Sequence, residues 1–141
     1  LEDYFELEAD SPYMLLVAPV RPSLRKPIPP GVTGFDRLGS VRSDLPAVTH
    51  IDYSARIQTV APDQNPLFYR LLKRFEAATG CGVLVNTSFN VRGEPIVCSP
   101  DDAYRCLVNT EMDYLAIGHF LLDRSAQPHR RLASTFDAQP D

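Results

Sequence analysis

The chain has 141 residues, of which 44% are hydrophobic and 23% charged, with a formal charge of −4 and a pI near 5.3. That length can bury a real core, the composition is that of a folded protein rather than a disordered one, and the acidic balance excludes a broad non-specific grip on nucleic acid, which needs a basic footprint. No apolar run approaches the roughly 20 residues that span a bilayer and no signal peptide opens the chain, so one cytoplasmic domain with no membrane role is expected.

Residues 1–10 are acidic with interspersed aromatics and read as the end of a helix or an edge segment. "YMLLVAPV", residues 13–20, is a continuous apolar run closed by prolines, which predicts a strand buried on both faces. From Arg21 to Pro46 the density of proline and glycine leaves no regular element, and a flexible loop over 21–46 is expected. "THIDYSARIQTV", residues 49–60, alternates polar His50, Asp52, Ser54, Arg56 and Gln58 with apolar neighbours, the period of a half-buried strand.

Asn65 and Pro66 then open a helix with a cap and a preset first position. Leu67, Phe68, Leu71, Leu72, Phe75 and Ala78 form its apolar stripe, and Gly80 closes it. "GVLV", residues 82–85, predicts a buried strand, and the residues around 94–100 return to extended structure. Ser99, Pro100, Asp101 and Asp102 start a second helix, with its acids at the positive end of the dipole and Ala103, Cys106 and Leu107 on its inner stripe. Residues 113–122 predict a last strand containing His119, and 123–141 a disordered tail that includes His129. The order of elements predicts an α/β fold, a sheet layered with helices, over residues 1–122.

The chemistry concentrates in "VNTSFNVRGEP", residues 85–95, where an apolar run gives way to Asn86, Thr87, Ser88 and Asn90, then Arg92. Ligands of open α/β sheets collect at the carboxyl ends of strands, so Thr87, Ser88 and Asn90 in a turn, with Arg92 and with Arg56 from a neighbouring strand face, suit a nucleotide-like anion. The same residue types are also the ordinary vocabulary of plain turns, and composition alone does not separate the two. His50, beside Asp52 on the polar face, is a candidate general base or ligand contact, although a hydrogen-bonded surface histidine is the commoner case. Cys81, Cys98 and Cys106 are odd in number and contain no C-x-x-C pair, and the histidines are dispersed, so reduced thiols and no metal site are expected.

"LPAVTHIDYSARIQTV", residues 45–60, and "GVLVNTSFNVRGEPIVCSPDDAYRCLVNTEMDYLAIGHFLL", residues 82–122, closely resemble the C-terminal region of the O-carbamoyltransferases of nodulation and antibiotic biosynthesis; "SPYMLLVAPVR", residues 11–21, is similar to the segment ahead of the loop. The resemblance implies a YrdC-like twisted mixed sheet. It implies that this region binds ATP with Mg2+, forms carbamoyl adenylate and passes the carbamoyl group to an acceptor hydroxyl on a sugar, an aminoglycoside or a similar molecule. An actin-like N-terminal domain of the same chain would process carbamoyl phosphate, the donor.

By that resemblance Ser88 and Asn90 are the Ser-x-Asn element that holds the nucleotide, with Thr87 beside it, and Arg56 contacts the adenylate. Catalytic roles then fall to Arg56 and Ser88; the residues themselves, rather than the resemblance, add His50 as a candidate to remove the acceptor proton and Arg92 as a second cation. The Lys-x-Arg pair that YrdC-like domains carry near their start has no counterpart after Lys26 or Lys73, and the chain opens at Leu1 without a methionine. An incomplete domain, needing its missing N-terminal partner for full activity, is expected. The alternative is a nucleotide- or RNA-binding module of YrdC-like fold without turnover.

Overall fold

The structure, a computed structural model, describes residues 1–128 and Leu132. His129 and most of the expected tail lie outside the described residues, while Arg124–Ala126 form a turn of 3-10 helix. The fold is mixed α/β and divides into two compact units, Leu1–Val85 and Asn86–Asp141. Among the described residues it has two small antiparallel sheets in place of the expected single layered sheet.

In the first unit β1 (Leu16–Pro19) pairs with β2 (Ser54–Ile57), with Leu16 opposite Ile57, Val17 opposite Arg56 and Ala18 opposite Ala55. Because side chains alternate across a strand, Ala18, Ala55 and Ile57 share the inner face and Val17 and Arg56 the outer one. The inner face packs with Phe5, Val20 and Leu45 into one core. The outer face is open, with Val17 58% exposed, which corrects the expectation of a strand buried on both sides. Residues 1–10 prove to be an edge segment: Phe5 bridges Val20, the Glu6 N–H donates to Pro19 O at 2.9 Å and the Arg21 N–H to Tyr4 O at 2.9 Å.

The expectation that 21–46 holds no regular element is also corrected. Pro22–Leu24 and Gly34–Gly39 are 3-10 helices, and Arg25 bridges Ser43. Proline at the first position of a helical turn gives up a donor that would be unsatisfied anyway, so Pro22 initiates rather than prevents a turn.

α1 (Pro66–Thr79) has the expected ends, with the Phe68 N–H donating to Asn65 Oδ1 and Gly80 in the left-handed conformation at φ 76°. Its apolar stripe is only partly covered: Leu67 is 72% and Leu71 52% exposed. Residues 82–85 form no strand. A strand is defined by its pairing, and this run finds no ladder. The Gly82 N–H donates instead to the Tyr4 hydroxyl at 2.7 Å, and Val83 packs laterally against the core.

In the second unit α2 (Pro100–Asn109) packs Ala103 and Leu107 on Leu115 of a hairpin, β3 (Tyr114–Ile117) and β4 (Phe120–Asp123). The hairpin corrects the single strand expected over 113–122. Gly118 takes φ 57° between the two strands, a conformation that only glycine adopts at little cost, and His119 is therefore an exposed turn residue. Among the described residues no helix is long and apolar enough to cross a membrane.

Candidate functional site

His50, expected within a strand, lies in the turn that precedes β2. Its N–H donates to Ser54 O at 2.7 Å and its carbonyl accepts the Tyr53 N–H at 3.1 Å, so Ile51, Asp52 and Tyr53 form a tight loop between His50 and Ser54. Tyr53 closes that loop at φ 64°, a costly conformation for a bulky side chain and one that persists only where its surroundings enforce it. They do so here: the Tyr53 hydroxyl donates to Lys26 O at 3.1 Å and Arg25 lies 5.7 Å from its ring centre.

A buried polar network supports the loop from below. Arg42, only 8% exposed, donates through Nε to His50 O and through Nη2 to Thr49 O, both at 3.2 Å, and through Nη1 to Arg37 O and Leu38 O. Ser43 and Thr49 share a hydroxyl contact of 2.6 Å, and Thr49 donates to Leu45 O at 2.8 Å. The Pro/Gly-rich segment thus ends in a brace that holds the main chain of His50 in place.

The side chains on the loop are joined as well. Nδ1 of His50 lies 2.9 Å from Ser54 Oγ, and Ser54 Oγ donates to Asp52 Oδ1 at 2.7 Å. The hydroxyl and the N–H of Ser54 together hold the Asp52 carboxyl below its ordinary value of 3.8, so it remains a carboxylate. Two residues further along β2, Arg56 stands on the same outer face as Ser54. Its Nε donates to Met14 O at 2.8 Å, which leaves the far end of an exposed guanidinium free of that anchor.

Thr87, Ser88, Asn90 and Arg92 belong to the second unit. The strand edge expected to present them at Val85 does not exist. Thr87 and Ser88 lie exposed in irregular backbone. Asn90 is half-buried, and its amide donates to Val91 O at 3.2 Å and to Glu94 O at 3.0 Å. The Glu94 N–H closes a turn onto Val91 O at 3.1 Å, with Gly93 at φ 89° in the third position, where a type II turn demands a left-handed residue. Arg92 is the exposed tip of that turn. The structure therefore brings His50 onto Ser54, two residues before Arg56 on β2, within one unit, and Asn90 and Arg92 into one loop of the other.

A cavity of about 300 Å³ in the first unit lies between Pro12, Tyr13, Gln58, Thr59, the α1 cap Asn65 and Phe68 of α1. Cys81, Cys98 and Cys106 are all free; burial, and next the charge of Glu94, push the Cys106 thiol up, so it stays protonated. Among the described residues no three His, Cys, Asp or Glu side chains come together as a metal site would need. Asp102 serves as a helix cap: Ser99 Oγ accepts the Asp102 N–H, and the Ser99 N–H donates to Asp102 Oδ2.

The family model described as carbamoyltransferase C-terminus matches residues 1–124. The chain belongs to the carbamoyltransferase C-terminal family. An uncharacterized protein of Synechocystis sp. is 62% identical over 131 residues, which is 91% of this chain and 21% of that protein. The nodulation protein NolNO of Sinorhizobium fredii is 36% identical over 89% of this chain and 17% of its own length. The 3'-hydroxymethylcephem-O-carbamoyltransferase of Amycolatopsis lactamdurans is 41% identical over 66% of this chain and 14% of its own. This carbamoyltransferase C-terminal region thus spans about a fifth or less of the relatives it matches. The family match takes in His50 and Arg56 of the first unit and Thr87, Ser88, Asn90 and Arg92 of the second.

The hydrogen bonds that join Ser54 to His50 and to Asp52 were not singled out by sequence reasoning, which placed all three on one strand face. The available signal was Asp-x-Ser, whose short side chains favour a local turn over a strand. The burial of Arg42 had no sequence signal at all.

Proposed function

We propose that this region forms part of an O-carbamoyltransferase with a YrdC-like domain, one that binds ATP, forms carbamoyl adenylate and transfers the carbamoyl group to an acceptor hydroxyl. The observation that carries this reading is the family match over 1–124, joined to 41% identity with a relative named for O-carbamoyl transfer to a hydroxymethyl group. In the first step a carbamate oxygen attacks the α-phosphorus of ATP, and pyrophosphate leaves. In the second the acceptor oxygen bonds to the carbamoyl carbon, the bond from that carbon to the phosphate oxygen breaks, AMP takes the electron pair, and the hydroxyl proton passes to a base.

Negative charge grows on the phosphate in that second step, and fixed cationic donors aimed at it lower the barrier. Arg56 is built for the task. One nitrogen is tied to the backbone, which limits the freedom lost on binding, while the side chain remains exposed. The second unit carries anion-binding groups of its own, the hydroxyls of Thr87 and Ser88 and the charge of Arg92 at the tip of the turn that Asn90 holds. Magnesium would arrive on the triphosphate. Processing of carbamoyl phosphate falls to a domain outside this region, and the acceptor is a small hydroxylated molecule.

Arg56→Ala in the natural full-length protein is expected to lower carbamoyl transfer at least about 100-fold. Its stability cost is no more than about 1 kcal/mol, the worth of one exposed hydrogen bond. Transfer assays paired with thermal melts check both, and undiminished turnover in a folded variant removes Arg56 from the reaction. Calorimetric titration with ATP on wild type and Ser88→Ala tests the nucleotide site, since an inert turn gives no heat in either protein.

A further inference from the structure

The run at residues 82–85, Gly-Val-Leu-Val, is apolar at every position rather than at alternate ones, the composition of a strand covered on both faces. Among the described residues Val83, Leu84 and Val85 make no main-chain hydrogen bond, and Val85 is 58% exposed. The run is nevertheless fixed at its start, where the Gly82 N–H donates to the Tyr4 hydroxyl at 2.7 Å. Three consecutive peptide groups of an apolar segment are thus held in place without the ladder that would satisfy them.

The helix that leads into this run is open as well. No residue of α1 is buried, although Leu67, Leu71 and Phe75 recur on one face at helical spacing. A helix of 14 residues is marginal in water on propensity and caps alone, and its stability comes chiefly from packing such a face on something. Gly80 turns the chain at the helix end, and Gly82 then passes so close to the last turn that a Cβ there would lie 3.0 Å from Glu76 Oε1. The uncovered face and the unpaired run therefore adjoin in one stretch of the first unit, residues 66–85.

The relatives carry ample chain to cover both. The match takes in 21% of the Synechocystis protein, and the family is that of a carbamoyltransferase C-terminus, so in such relatives most of the polypeptide precedes the match. A covalently attached partner is present at a high effective concentration, which favours it over a second copy of the chain.

We propose that the N-terminal part of the natural full-length protein supplies a β-strand that pairs with Val83, Leu84 and Val85, and apolar side chains that cover Leu67, Leu71 and Phe75. The inference uses the family membership and not the carbamoyl-transfer reading. Pairing anchors the main chain at Val85, two residues ahead of Thr87. In the 141-residue chain alone the face of α1 stays open, so truncating Leu67 there costs little; the cover belongs to the full-length protein.

Two measurements on the natural full-length protein test it. Hydrogen exchange reads the pairing: alternate amides over 83–85 are expected to exchange at least about 100-fold more slowly than unprotected ones, at every protein concentration. Free exchange at all three overturns the proposal, and so does protection that is lost on dilution, which assigns the face to a second copy. Photo-crosslinking identifies the cover: a benzophenone side chain in place of Leu71 is expected to join α1 to a peptide from the sequence ahead of Leu1, within one polypeptide. A cross-link to an identical copy, or none, overturns it. The exchange measurement uses the unaltered protein, so a labelled variant that fails to fold leaves the proposal open to refutation. Neither readout needs ATP or turnover, and the failure of carbamoyl transfer is therefore distinguishable from the failure of this docking.

Discussion

Asn90 shows how one residue type carries two readings until its neighbours are placed. After an apolar run, an asparagine suits a ligand and a turn equally. Its amide turns out to donate to the carbonyls of Val91 and Glu94, which makes it the brace of the loop whose tip is Arg92. Gly93 is the other half of that brace, at φ 89° with open space where a Cβ would stand. Gly93→Ala should therefore cost about 1–3 kcal/mol from backbone torsion alone, read as a lower urea midpoint at unchanged m-value. A variant as stable as wild type means the turn does not hold its left-handed residue in solution. His50 was legible as a polar residue near Asp52. The direction of its hydrogen bond was not, because that depends on where the proton of Ser54 goes.

At the scale of elements, the helices were the legible part. Caps, proline at the first position and a closing glycine are local signals, and both α1 and α2 begin where they say. The capping box of α2 also gives a pH dependence. The Ser99 hydroxyl, chiefly, holds the Asp102 carboxyl below its ordinary value of 3.8, so the carboxylate form is favoured by folding. Such a group contributes stability above the unfolded value, and the contribution fades as pH falls through the lower folded value. Thermal melts of wild type and Asp102→Asn should therefore differ near neutral pH and converge as the pH falls through the lowered folded value; a gap that stays constant on acidification would exclude the cap as its source. Ser99→Ala should cost about 1 kcal/mol at neutral pH, measured by urea titration. Strands were less legible. "GVLV" has the composition of a buried strand and lacks a partner, while 113–122 reads as one strand and folds back at Gly118.

At the scale of the whole molecule, two cores stand in place of one: Phe5, Val20, Ala55 and Ile57 in the first unit, Ala103, Leu107 and Leu115 in the second. Burial separates leucines that the sequence treats alike. Leu107 is fully buried and Leu67 is 72% exposed, so Leu107→Ala should lose about 2–5 kcal/mol and Leu67→Ala less than about 0.5 kcal/mol in urea titrations. A large cost at Leu67 would show that the stripe of α1 is covered in solution. The family, the two α-helices with their caps and the free thiols were all determined by the sequence itself, because each is written in a short window of neighbouring residues or in a long run of identities. Only the tertiary structure decided which apolar runs pair as strands, that Arg42 is buried beneath His50, and that Asp52, Ser54 and His50 form one chain of hydrogen bonds. Pairing and burial depend on what the rest of the fold brings alongside a residue, and no local pattern encodes that.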